Sequence, residues 1–83
     1  MIQYKGGNGS SKEEAIIILG TNNEIEGVDA EYEYIENKLE EFEIESLTFI
    51  GEADKKYDVL NIKLADGIKM EIYFDITDFY GKE

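Results

Sequence analysis

The stretch that most limits the fold is YDVLNIKLADGIKMEIYFDI, residues 57–76. Leu60, Ile62, Leu64, Ile68, Met70, Ile72, Phe74 and Ile76 all fall on even positions, the two-residue period of strands with one buried face. A two-residue Asp66–Gly67 loop would set Ile62 opposite Glu71, mixing core and solvent residues on one face. A three-residue loop of Ala65, Asp66 and Gly67 instead pairs Leu64 with Ile68, Ile62 with Met70 and Leu60 with Ile72. The spacing therefore predicts the longer loop, with Gly67 in the left-handed conformation it needs.

Before this hairpin the alternation is less regular. In FEIESLTFIG, Phe42 and Ile44 share one parity while Leu47 and Phe49 take the other. The strand then either has two partly covered faces or carries a bulge near Ser46. GEADKK is a turn. MIQYK reads as a short strand, GGNGSS as a loop. Within SKEEAIIILG, Ser11 with Glu14 fits a capping box, as does Ser10 with Glu13. The β-branched run Ile16–Ile18 suits a strand. One helical turn over Lys12–Ala15 followed by a strand over Ile16–Leu19 is expected, with a short helix through residues 12–19 as the rival.

TNNEIEGVDAEYEYIENKLEEFEIE, residues 21–45, holds ten carboxylates and one lysine, Lys38. Val28, Tyr32, Ile35, Leu39 and Phe42 recur at helical spacing, with Ile25 extending the series backward. Asn22 or Asn23 could cap the start, although Gly27 weakens so early a helix and moves its expected beginning toward Val28. Asp29, Glu33, Glu36 and Glu40 form an acidic stripe beside the apolar face. Each like-charge pair four residues apart costs only about 0.2–0.5 kcal/mol, whereas each large buried apolar group contributes roughly 1.5–3 kcal/mol. The helix is expected to form despite its charge.

The order is strand, turn, strand, helix and three strands. That predicts one α+β domain over residues 1–83, two-layered, with one main helix packed on a mostly antiparallel sheet ending in a three-strand meander. Thr77 or Asp78 could cap a terminal turn, and the aromatic tail from Phe74 to Tyr80 is expected to cover an edge or open end of the core.

Composition then restricts function. Twenty acids against eight lysines give a net charge of −12, a field that repels nucleic-acid backbones and anionic lipids. Arginine, the usual bidentate reader of phosphate and guanine, is absent. Neither direct nucleic-acid binding nor membrane association is expected; a basic protein is the better electrostatic partner. The chain has no cysteine or histidine, which removes disulfides, thiolate nucleophiles and zinc–thiolate sites. MIQYKGGNG lacks the apolar core of a signal peptide, so a cytoplasmic location is expected.

Four constellations invite a functional reading. GGNGSSK fits neither phosphate-loop spacing nor G-x-G-x-x-G, since Lys12 occupies the third glycine position counted from Gly7. A twelve-residue count from Asn22 puts Asn22, Glu24, Glu26, Gly27 and Glu33 where an EF-hand loop has ligands and its glycine. Asn at the first position and Asp29 at the usually apolar eighth make the match poor. Asp58 and Asp75 are the carboxylates best placed for acid–base work, although the hairpin register puts them on opposite pleats. The acidic stripe is the fourth. As an interaction surface it comprises Asp29, Glu33, Tyr34, Glu36 and Glu40, an exposed Tyr34 strengthening the case.

GGNGSS, EEAIII, NEIEGVDAEYEYI, KYDVL and MEIYFDI together resemble a group of small uncharacterised bacterial proteins of similar length with no known activity. The resemblance implies a bacterial origin and specific roles for Gly27, Asp29, Tyr32 and Asp75, without saying what those roles are. The expected function is a small acidic non-catalytic module that binds a basic protein. An inhibitor or immunity-type protein, a nucleic-acid mimic and a small carboxylate enzyme are the alternatives. No cofactor, metal or catalytic residue is assigned, and pairing between copies through an uncovered sheet edge is left open.

Overall fold

In the computed structural model, which describes residues 1–82, one helix packs on a five-stranded mixed sheet. The strands are β1 (Gln3–Gly6), β2 (Ile16–Leu19), β3 (Phe42–Gly51), β4 (Lys56–Leu64) and β5 (Lys69–Asp75); the helix is α1 (Glu24–Lys38). Their order across the sheet is β1-β2-β5-β4-β3. The pairs β1–β2, β5–β4 and β4–β3 are antiparallel, and β2–β5 is parallel.

The hairpin has the register that its alternation requires. Ile62 pairs with Met70, Leu60 with Ile72 and Asp58 with Phe74. Gly67 has φ +90° and its N–H donates to Leu64 O at 2.9 Å. On the other side of β4 the register with β3 shifts between Ile44 and Ser46, a bulge that carries the apolar residues from even to odd positions. Residues 11–14 form turns rather than a helix, and Ile16–Leu19 form β2. Asn8 to Ser10 are tied in as well: Gly9 O accepts from Tyr73 N at 2.8 Å, and Gly9 N donates to Glu14 O at 2.7 Å.

The helix begins earlier and is turned differently from the expectation. Asn23 is its N-cap, with Oδ1 accepting from Glu26 N at 2.9 Å, so Gly27 lies inside the first turns rather than before them. Gly27, Ala30, Glu31 and Ile35 are buried, Val28 and Tyr32 lie at the flank, and Ile25 is 75% exposed. Two contacts account for the rotation. Phe79 comes so close to Gly27 that a Cβ there would sit 2.5 Å from its ring, and Tyr34 meets Phe74 edge-on at 5.9 Å. Replacing Asn23 by alanine removes the cap and should cost about 1 kcal/mol of stability, read as a lower denaturation midpoint with an unchanged slope against denaturant.

Ile16, Ile18, Ile35, Leu60, Ile62, Phe74, Ile76 and Phe79 make up most of the buried cluster. The C-terminal turn closes one end of it. Phe79 is buried against Gly27, Tyr80 stacks on Phe49 at 5.2 Å, and Gly81 N donates to Glu24 Oε1 at 2.8 Å. Among the described residues, no helix is long and apolar enough to cross a membrane.

Candidate functional site

The acidic stripe is split by the end of the helix. Asp29, Glu33 and Glu36 are exposed on α1, whereas Leu39 is the C-cap, so Glu40 lies in the connection to β3. Glu33 lies near the Tyr4 hydroxyl of β1, whose pKa is raised by burial first and by Glu33 next. Tyr34 is not part of that exposed surface. It is half-buried between the Tyr4 ring at 5.1 Å and Phe74, and Lys38 Nζ stands 5.5 Å from its ring centre. The cation–π contact directs the one lysine of the helix toward the ring.

The ion pairs among the described residues lie away from the stripe. Lys12 reaches Glu52, Lys55 reaches Asp75 at 3.3 Å, Lys69 reaches Glu45 at 3.5 Å and Lys82 reaches Asp78 at 3.8 Å. Among the described residues, none of Asp29, Glu33, Glu36 and Glu40 has a lysine partner. Their mutual repulsion is relieved only by solvent and counter-ions.

The EF-hand-like count does not produce a loop, because Glu24 to Glu33 are helical. Carboxylates four residues apart on a helix stand side by side on its surface and cannot wrap a cation as such a loop does.

Asp58 and Asp75 have separate settings. Asp75 lies across from Tyr57 on the pleat opposite Asp58. Its Oδ1 accepts from Thr77 N at 3.0 Å and from Thr77 Oγ1 at 2.6 Å, and Lys55 approaches Oδ2. Burial works to raise its pKa, but the bonds from Thr77 and Lys55 outweigh burial and hold the carboxyl below its usual range. Asp75 thus secures the turn that leads into the C-terminal segment.

Asp58 points into the core and meets Glu31. Glu31 is 0% exposed and Asp58 7%. Neither oxygen of Glu31 receives a hydrogen bond from an N–H or hydroxyl; the group beside it is the Asp58 carboxyl. Two neighbouring buried carboxylates repel, whereas one proton shared between such a pair makes a strong bond. Burial first, and then Asp58, push the Glu31 carboxyl up to about 10. Asp58 is raised too: burial dominates, the bond from Glu31 opposes it, and Glu24 adds to it. Both shifts run in the direction that a single proton held by the pair would give.

Polarity alone does not distinguish Glu31 from the other acids of its stretch. A usable signal exists in the spacing Gly27–Glu31–Ile35, with Ala30 beside it. If Gly27 faces a close neighbour, the residue four positions on shares its face.

An opening of about 480 Å³ lies between Asn8–Ser10, Tyr34, Lys38 and Met70–Ile72. Neither Glu31 nor Asp58 lines it, so the shared proton is not presented there. No family model, curated protein or solved structure matches the chain.

Proposed function

We propose that the chain is a small acidic, non-catalytic interaction module in which Asp29, Glu33, Glu36 and Glu40 contact a basic protein. The observation that carries this reading is the distribution of ion pairs. Among the described residues, four lysines are matched to carboxylates elsewhere, while the exposed stripe has none. A row of unmatched carboxylates favours encounter with positive charge and sets its register. Tyr34 contributes by supporting the helix from beneath rather than by touching the partner. In this reading the helix is one layer over a sheet that ends in a meander of β3, β4 and β5, and the stripe lies on the outer side of that layer. The proposal includes a bacterial, cytoplasmic setting, its bacterial part resting on the sequence resemblance. An inhibitor or immunity-type protein would use the same surface. A carboxylate enzyme has less support, since Asp58 and Asp75 lie on opposite faces of the sheet.

Capture from a bacterial extract tests the reading. The immobilised protein should retain a defined basic partner at low salt and release it as salt rises. The double substitution Glu33→Lys, Glu36→Lys should weaken retention at least tenfold without altering the fold. Equal retention by the variant, or no retained partner at low salt, would reduce the stripe to a solubilising surface.

A further inference from the structure

The opening of about 480 Å³ between the Asn8–Ser10 loop, the end of α1 and β5 joins an apolar floor to a rim of hydrogen-bond donors. Tyr34, Leu39, Met70 and Ile72 supply the floor. Tyr34 and Leu39 are half-buried, and Met70 is 36% exposed. Gly9, at φ +85°, lets the loop backbone lie directly on the core, since a Cβ there would sit 2.9 Å from both Ile16 and Ile72.

The first donor belongs to the backbone of β5. Its even-numbered residues bond toward β4, beginning with Leu64 N donating to Ile68 O, while the odd-numbered ones point to the opposite edge. There Tyr73 N reaches Gly9 O at 2.8 Å. Glu71 is the next odd residue, beyond the reach of β2, which pairs only with Phe74 and Asp75. Among the described residues, its N–H finds no backbone acceptor on that side. The Glu71 carboxylate takes the other pleat with Asn61 and accepts from Tyr73 Oη at 3.5 Å.

Side chains add the remaining donors. Lys38 Nζ stands 5.5 Å from the Tyr34 ring centre, and among the described residues it has no carboxylate within ion-pair distance. Asn8 Oδ1 accepts from Ser10 N at 3.1 Å, which leaves the Ser10 hydroxyl without a partner among the described residues. An apolar cavity with a few convergent polar groups is the usual form of a small-molecule site.

We propose that this opening binds a small carboxylic acid with an apolar chain. The carboxylate is held at the rim by Lys38 and by the free donors of Ser10 and Glu71, and the chain lies on the floor beneath. A carboxylate matches because it only accepts hydrogen bonds, and bonds to a charged acceptor are the stronger kind. A single charge is favoured over a phosphate dianion, because the net charge of −12 opposes any anion and a dianion more. The site is separate from the acidic stripe and does not rest on the interaction reading.

The test titrates the intact, isotopically labelled protein with octanoate, octanol and octylamine at pH 7 and millimolar concentration. Octanoate should give saturable shifts at Gly9, Ser10, Leu39 and Met70–Ile72. Its affinity should exceed that of hexanoate, by about fourfold for each added methylene that is buried. Lys38→Gln, at an exposed position, should weaken octanoate about fivefold and leave octanol unchanged. Met70→Gln should weaken both alike. Octylamine binding as tightly as octanoate would mean that the overall negative field governs, and overturns the proposal. So does octanoate affinity that survives Lys38→Gln, or the lack of saturable shifts around the opening.

Discussion

Glu31→Gln is expected to stabilise the protein at pH 7 and to flatten the dependence of its stability on pH. The sign follows from proton counting. The folded chain keeps a proton on Glu31 up to about 10, whereas the unfolded chain releases it near 4.5. Between those values the native state binds more protons, so stability falls as pH rises. The contribution is fully present below the unfolded value and is lost as pH climbs through the folded one. Each pH unit inside the window costs about 1.4 kcal/mol, which puts the penalty at pH 7 on the order of 3 kcal/mol.

Glutamine keeps the shape and offers Asp58 an amide donor, but has no proton to lose. A gain of roughly 1–3 kcal/mol at pH 7 is expected after allowing for the second amide hydrogen, which needs a partner of its own. Urea denaturation at pH 5, 7 and 9 checks this, with the difference between the proteins widening as pH rises. Comparing wild type with variant cancels most of the general repulsion of so acidic a chain. Curves that run parallel across the three pH values would falsify the shared proton.

Phe79→Ala should be the most destabilising single change at the closed end of the core, at about 3–5 kcal/mol. Total stabilities of 5–15 kcal/mol are usual, so this variant would retain little margin. Phe79 is 2% exposed, and its ring occupies the space that any side chain at position 27 would need. The two positions should therefore be coupled, with a change of sign. In the wild type, Gly27→Ala gains roughly 0.8–1 kcal/mol of helix propensity but meets the ring 2.5 Å away, and overpacking of about 1–3 kcal/mol wins. In the Phe79→Ala background the obstruction is gone, and Gly27→Ala should stabilise by up to about 1 kcal/mol. A double-mutant cycle measured by denaturation reads the coupling directly. Additive effects would mean that the ring and the helix do not meet as described.

Particular residues show which features were legible in the chain. The Leu60–Ile76 alternation admits one loop length, because the alternative places Glu71 against Ile62, and the pairing has that register. The change of parity between Ile44 and Leu47 admits either two partly covered faces or a bulge, and the structure has the bulge. The helix was legible as a helix but not in its rotation. Val28, Tyr32 and Leu39 satisfy the 3.6-residue period nearly as well as Gly27, Ala30 and Glu31, and apolar character favoured the first set. A glutamate at the centre of the buried face is chosen only by a partner far along the chain, here Asp58, twenty-seven positions on.

Local chemistry by itself determined the elements: strands where polarity alternates, a helix in the acidic stretch though not its first residue, a left-handed turn at Gly67, and an excess of negative charge. Those properties depend on residues within a few positions of one another, where backbone sterics and periodicity act. The tertiary structure alone decided the parallel pairing of β2 with β5, since Ile16–Leu19 is apolar on both faces and names no neighbour. It alone placed Phe79 on Gly27, buried Glu31 and Asp58 together in the core, and left Leu47 and Phe49 half-exposed on the edge strand. Packing, desolvation and edge exposure arise between distant segments, and no local spacing encodes them.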